Sequence, residues 1–274
     1  MEEKALLAEI HAIGSELCYG RVRDTNSFWL ADQLTRIGVS VERITCTRDD
    51  LDEITSTFRE SLNRRPNLIL TTGGLGPTPD DLTMEALARL SQQKMILDRT
   101  TLEYYSQKRS IPVEELPKNI RQMARTLQGA KCLKNPTGGA PATIVDIEGT
   151  TFTILPGPPR EVKAIFTHHL KKMFHAQTGR ISVHGKIIVS MHESEVSPLI
   201  DQILKDHSDI YAKPLVKGYR PSVGLPIEII SFGENRKKCL KKLTKITQDL
   251  QILVEEKGRK IIFTHGSRHK RDDR

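Results

Sequence analysis

A chain of 274 residues with 37% hydrophobic and 28% charged side chains can bury one large core or two smaller ones, which excludes a disulfide-stapled miniprotein. No run approaches the roughly eighteen consecutive apolar residues of a membrane span, and Met1-Glu2-Glu3-Lys4 lacks the basic start of a secretory signal, so a soluble cytoplasmic protein with no membrane partner is expected. Half of the net charge of +8 sits in the tail, where Gly258 to Arg274 holds six Lys/Arg against Asp272 and Asp273, a net +4; this reads as a solvated, disordered segment, and nucleic acid is not the expected partner.

Leu6 to Ile13 reads as a buried strand, and Leu30, Leu34 and Ile37 mark a helix closed by Gly38. Val39 to Cys46 is strand-like, Leu51, Ile54, Phe58 and Leu62 form a helical face, and Leu68-Ile69-Leu70 is a short strand. This alternation predicts an α/β fold, a mostly parallel sheet covered by helices on both faces in three αβα layers. A glycine-rich turn follows the third strand, and a helix is predicted from Asp81 through Leu90 with Asp81 as its cap. Short helices over Thr100 to Lys108 and Lys118 to Thr126 precede a hairpin, Ala142 to Ile147 and Thr151 to Leu155, turning at Glu148-Gly149. After Pro156-Gly157-Pro158-Pro159 a helix begins near Arg160.

The pattern restarts around Gln177-Thr178-Gly179. Strands at Lys186 to Met191, Ile210 to Pro214 and Ile227 to Ser231, with helical faces at Val196 to Leu204 and Leu240 to Leu253, make a small α+β module of order β-α-β-β-α. The expected domains are residues 5–176 and 183–256, followed by the tail, 257–274.

A strand ending in Thr72-Gly73-Gly74 before a helix offers backbone N–H groups and the positive end of a helix dipole to phosphate. Asp80 and Asp81 would repel such an anion unless a divalent metal bridged them, because magnesium is commonly held by one or two carboxylates plus ligand phosphates. Alternatively Asp81 caps a helix and Asp80 faces solvent. Gly14-Ser15-Glu16 ends the first strand at the same sheet edge, and Asn26, after Asp24-Thr25, suits either a helix cap or a ligand contact. Arg160 could grip an anion bidentately. His168, His169 and His175 have no accompanying ligand cluster and read as surface helix positions. Cys18, Cys46, Cys132 and Cys239 form no CxxC pair, so no zinc knuckle or redox motif is legible and a reducing compartment fits.

Five segments together, Gly14-Ser15-Glu16-Leu17, Asp24-Thr25-Asn26, Gly73 through Thr83, Asn135-Pro136-Thr137-Gly138-Gly139-Ala140-Pro141 and Leu155 through Glu161, resemble the CinA family of competence-damage-inducible proteins, whose N-terminal domain has the molybdopterin-biosynthesis MoaB/Mog fold. The resemblance covers about residues 5 to 172, and the module with His192-Glu193-Ser194-Glu195 and Tyr211-Ala212-Lys213-Pro214 looks like that family's KH-like middle domain, although it has no GXXG clamp. Longer relatives add a deamidase domain, for which these 274 residues leave no room, so no deamidase activity is expected.

What the resemblance implies is ADP-ribose pyrophosphatase activity with a divalent metal (Mg, Co, Ni or Mn), releasing AMP and ribose 5-phosphate. The alternative is a non-catalytic molybdopterin or nucleotide binder, or a molybdenum-cofactor enzyme. On that pattern Asp80, Asp81 and Glu16 are catalytic, Asp80 and Asp81 also hold the metal, and Gly14, Ser15, Asn26, Gly73, Gly74, Gly76, Thr83, Gly138, Pro156, Gly157 and Arg160 bind a phosphate-containing ligand, ADP-ribose or a pterin or nucleotide. A homo-oligomer is expected. Ser15 and Gly139 stand where threonine is common, and Gly139 removes a hydroxyl from its loop.

Overall fold

The computed structural model describes residues 6–263, which divide into two compact units at Thr178 and Gly179. In chain order the first unit contains β1 (Leu6–Ile13), α1 (Ser15–Cys18), α2 (Thr25–Arg36), β2 (Val39–Thr47), α3 (Leu51–Arg64), β3 (Leu68–Thr72), α4 (Thr83–Ser91), β4 (Met95–Leu97), α5 (Arg99–Arg109) and α6 (Lys118–Gln122). It continues through β5 (Arg125–Leu127), β6 (Lys131–Leu133), β7 (Ala142–Ile147), β8 (Thr150–Leu155), α7 (Pro159–Ile165), one π-helical turn (Phe166–Leu170) and α8 (Lys171–Thr178).

Its main sheet has the order β2-β1-β3-β8-β7-β6, parallel from β2 to β8 and antiparallel beyond. Because successive strand residues point to opposite faces, β3 feeds two cores. Leu68 and Leu70 pack with Leu30 and Leu34 of α2, Val162 and Ile165 of α7 and Phe174 of α8. Ile69 packs instead with Ile54 and Phe58 of α3 and Met84 and Leu87 of α4. The expected three-layer α/β arrangement is therefore what forms. Register places Ala12 opposite Thr72 and Thr72 opposite Leu155, so β1, β3 and β8 end at one level and deliver their following loops to one edge.

Three local expectations change. The helix predicted over Lys118 to Thr126 stops at Gln122, and Arg125–Leu127 pairs antiparallel with Met95–Leu97 in a separate two-stranded sheet. Asp81 does not cap α4: the helix starts at Thr83, with Leu82 at the cap position and no side-chain cap bond. The tail expected from residue 257 begins as ordered chain, since the Gly258 N–H donates to Glu255 O at 2.8 Å and Ile261–Phe263 pairs with a strand of the second unit; residues 264–274 lie outside the described residues.

The second unit comprises β9 (Ile181–Val189), α9 (Glu193–Leu204), β10 (Ile210–Pro214), β11 (Leu225–Gly233), α10 (Arg236–Glu256) and β12 (Ile261–Phe263). Its antiparallel sheet has the order β10-β11-β9-β12. Alternate residues Ile187, Val189, Ile227 and Ile229 pack against Val196 and Ile200 of α9 and Ile246, Leu250 and Val254 of α10. Among the described residues, no helix of either unit is long and apolar enough to cross a membrane.

Two polar residues interrupt the apolar run of β1, and both are buried: Glu9 and His11 point to one face, against α3. Arg64 grips Glu9 bidentately, Nε to Oε1 and Nη2 to Oε2, both at 2.7 Å, and the Ser61 hydroxyl donates to Glu9 Oε2 at 2.7 Å. With that proton committed, His11 Nε2 must donate to Ser61 Oγ across 2.9 Å, which leaves Nδ1 as a buried acceptor without a partner. Burial pushes the imidazole down to about 4 against the pull of Glu9. Burial also pushes the Glu9 carboxyl up, but the Arg64 fork and Ser61 hydroxyl outweigh it and hold it below the usual range.

A pH dependence follows from these shifts. Between about pH 6.5 and 4 the unfolded chain binds a proton that folded His11 refuses, so stability falls with falling pH through that window, by up to roughly 3 kcal/mol. The Glu9 contribution, present above its ordinary value, is lost only lower, as pH passes its depressed folded value. Urea midpoints taken from pH 7 to 4.5 should show the decline, and His11→Asn should flatten it. An equal slope in that variant would place its origin elsewhere.

Candidate functional site

At the carboxyl edge of β1, β3 and β8 lies a cleft of about 340 Å³. Its lining comes from four stretches: Ile13, Gly14, Glu16 and Leu17; Val22 to Asn26; Thr72 to Gly76 with Asp80 and Asp81; and Gly157 to Pro159, with Asp49 beside them. Of the residues singled out from sequence, Gly14, Glu16, Asn26, Gly73, Gly74, Gly76, Asp80, Asp81 and Gly157 line this space.

Asn26 holds the edge together. Its Nδ2 donates to Thr72 Oγ1 at 2.9 Å and to Gly157 O at 2.7 Å, while Thr72 Oγ1 donates to Pro156 O at 2.9 Å. The cap is not its role: Asp24 caps α2, accepting from the Ser27 N–H at 2.9 Å, and Asn26 ties α2 to the ends of β3 and β8 while lining the cleft. Pro156 enters through its carbonyl alone.

The glycine turn is shaped by close approach. A Cβ on Gly73, whose φ is +102°, would stand 2.1 Å from Ile13 O, and one on Gly74, at φ +66°, would stand 2.1 Å from Thr83 Oγ1. Only glycine fits such backbone without strain. The cradle is narrower than the sequence suggests, because the Gly73 N–H donates to Leu155 O at 3.2 Å and the Thr83 N–H to Gly74 O at 3.3 Å. Among the described residues, no protein acceptor meets the N–H of Gly74 or Leu75. Thr83 is buried and serves the turn from behind, Oγ1 to Gly73 O at 2.9 Å.

Asp81 organises the loop instead of the helix. Its Oδ1 accepts from the Gly76 N–H at 2.6 Å, and its Oδ2 accepts from both the N–H and the hydroxyl of Thr78. Asp80 is exposed, and the neighbouring Thr78 side chain, then its own backbone N–H, hold its carboxyl below the usual aspartate range. Asp49 accepts from the Ser15 N–H at 2.6 Å, and its own N–H donates to Ser15 Oγ at 3.1 Å, so Ser15 anchors α1 without lining the cleft.

Two expected contributors lie elsewhere. Arg160 is exposed in the first turn of α7 and does not line the cleft. Gly138 belongs to a loop closed by Asn135, whose Nδ2 donates to Ala140 O and Glu161 Oε2 while its Oδ1 accepts from the N–H groups of Thr137 and Gly138. A Cβ on Gly138 would stand 2.0 Å from the Glu161 carboxyl carbon, which explains that glycine by packing. The carbonyl of Gly139 accepts from Tyr105 Oη at 2.7 Å.

Sequence reasoning missed Asp24 and Asp49. With Glu16, Asp80 and Asp81 they give the cleft five carboxylates, against Arg23 as the single basic side chain among its described lining residues. No spacing rule links Asp49 to Gly14; only the parallel pairing of β1 with β2 brings them together. No group of three or more His, Cys, Asp or Glu side chains that could hold a metal ion occurs among the described residues, and the three helical histidines are no exception. His169 Nε2 instead lies 2.9 Å from Lys134 O.

Residues 9–176 match the family described as probable molybdopterin binding domain. A relative from Sulfurisphaera tokodaii is 33% identical over 257 residues, covering 93% of this chain and 97% of its own. One from Pyrobaculum aerophilum is 30% identical over 254 residues, covering 92% and 95%. Among solved structures, a Thermoplasma acidophilum protein described as CinA with unknown function is 33% identical, covers 62% of this chain and 98% of its own, and superposes with a TM-score of 0.58.

Proposed function

Because the chain belongs to the molybdopterin-binding-domain family, we propose that the cleft at the carboxyl edge of β1, β3 and β8 binds the phosphorylated end of a molybdopterin-class or nucleotide ligand. The observation that carries this is the turn at Gly74-Leu75, whose two unengaged N–H groups line or adjoin a space bordered by three converging loops. Oriented amides of this kind favour an oxyanion. Likeness to the Thermoplasma protein over 62% of this chain supports a CinA-type grouping; on that reading the second unit would be the KH-like module.

The acidity of the cleft supports a second reading, metal-assisted hydrolysis of a diphosphate such as ADP-ribose. Five carboxylates would repel phosphate unless a cation intervened. Asp81 spends both oxygens on the loop, and Asp24 and Asp49 each accept a backbone N–H, so Asp80 is the carboxylate best placed to hold a metal. This donor set fits magnesium-like binding through one or two carboxylates and the ligand's phosphates, and does not fit a closed protein cage. The bound metal would neutralise phosphate charge and polarise phosphorus. Glu16 would take the proton of an attacking water, while Asn26 and Asp81 keep the loops at fixed spacing.

Titration calorimetry of the intact protein with molybdopterin and with ADP-ribose, each with and without magnesium, separates the two readings when paired with chromatography for AMP. Binding without AMP release supports the binding role, and metal-dependent AMP release supports hydrolysis. Absence of binding by both ligands under all conditions would remove the cleft from consideration.

A further inference from the structure

Cys18 and Cys46, separated by 28 positions, meet with their sulfurs 3.4 Å apart, and both are exposed. Backbone pairing enforces the approach. Ala12 lies opposite Cys46 in the β1–β2 ladder, the Gly14 N–H donates to Thr47 O at 3.0 Å, and Ser15 and Asp49 exchange two hydrogen bonds. Thus α1 is already tied to the end of β2 on the side where Cys18 faces Cys46. We propose that Cys18 and Cys46 form a reversible disulfide, a modification site at the rim of the cleft, with hydrogen peroxide or an organic peroxide as oxidant.

The chemistry balances with the peroxide alone. The Cys18 sulfur, having given up its proton, attacks one peroxide oxygen; the O–O bond breaks, the leaving oxygen takes a proton and departs as water or alcohol, and Cys18 becomes a sulfenic acid. The Cys46 sulfur then attacks that sulfur as its own proton passes to the departing hydroxyl, the S–S bond forms and the S–O bond breaks, and water leaves. Two thiols lose two electrons in all, and the peroxide gains them. Partial burial, then the contact with Cys18, then the charges of Asp24 and Glu16 push the Cys46 thiol up to about 12. That makes Cys46 the resolving partner and a poor leaving group, so a thiol reductant reopens the bond by attack at the Cys46 sulfur, with Cys18 leaving. Cys239 is buried and Cys132 only partly exposed, so neither competes well for oxidant. The disulfide pins α1, which carries Glu16 and Leu17 into the cleft.

The test treats the intact protein with hydrogen peroxide and maps its peptides without reduction. The expected product is a monomeric chain lighter by two hydrogens, with residues 18 and 46 linked, two of its four thiols lost, slower amide exchange over residues 15–22, and recovery with excess dithiothreitol. Linkage should be faster in native protein than in urea. Cys46→Ser should stop at a dimedone-trappable sulfenic acid on Cys18, and Cys18→Ser should keep its remaining thiols far longer. Over-oxidation of Cys18 without linkage, linkage between chains, or equal rates in native and unfolded protein would each overturn the proposal.

Discussion

Gly73→Ala is expected to cost the first unit roughly 3 kcal/mol or more, lowering the thermal midpoint by about 6–12 °C. Alanine at φ +102° is strained before any contact is considered, and its Cβ would stand 2.1 Å from the Ile13 carbonyl, a backbone atom of β1 that cannot move without disturbing the sheet. Gly157→Ala supplies the control. Its Cβ would meet Gly73 Cα at 3.7 Å, an ordinary contact, so that variant should melt close to the parent. Ligand binding should fall in Gly73→Ala even where the protein remains folded at low temperature, because relief of the clash moves the neighbouring Gly74 and Leu75 amides. Similar melting of the two variants would mean that the turn is more pliable than its geometry indicates.

The second large effect separates adjacent carboxylates. Asp80→Asn should leave the melting midpoint nearly unchanged, because Asp80 is exposed and fixes no neighbouring loop, yet should weaken metal-dependent ligand binding, or turnover where AMP is formed, by roughly a hundredfold, about 3 kcal/mol. Asp81→Asn should do the reverse in emphasis. Its amide keeps one acceptor oxygen but must turn its NH2 group toward either the Gly76 N–H or the Thr78 donors, which the carboxylate now accepts from together, at a cost of roughly 1–3 kcal/mol. Melting curves and calorimetry on both variants distinguish the roles. If Asp80→Asn binds and turns over normally in the presence of magnesium, Asp80 holds no metal.

Much of the architecture is legible in the residues because it depends on local periodicity. The apolar run Leu6 to Ile13 and the hairpin turning at Glu148-Gly149 announce themselves, and their pairing yields the expected layers. Met95–Leu97, Arg125–Leu127, Lys131–Leu133 and Ile261–Phe263 do not, since three residues are too few to display a period and, for all but Lys131–Leu133, the partners lie far along the chain. The site divides in the same way. Gly73, Gly74 and Asp80 are readable from their turn, whereas Asp49, the clamp role of Asn26 and the meeting of Cys18 with Cys46 exist only through the register of parallel strands. Asp81 shows the limit of capping rules: its position suits a helix start, but the donors of its own loop compete for it and win. Arg160 sits in a suggestive segment, yet its helix carries it outside the cleft lining.

The central claim is that a phosphorylated ligand occupies the cleft between the loops after β1, β3 and β8. Hydrogen–deuterium exchange of the intact protein, with and without molybdopterin and repeated with ADP-ribose and magnesium, tests it most directly because it locates binding along the chain. Protection is predicted over residues 13–26, 72–81 and 156–159, strongest at the amides of Gly74 and Leu75. Saturable binding that leaves those segments unchanged and protects another part of the chain would contradict the account.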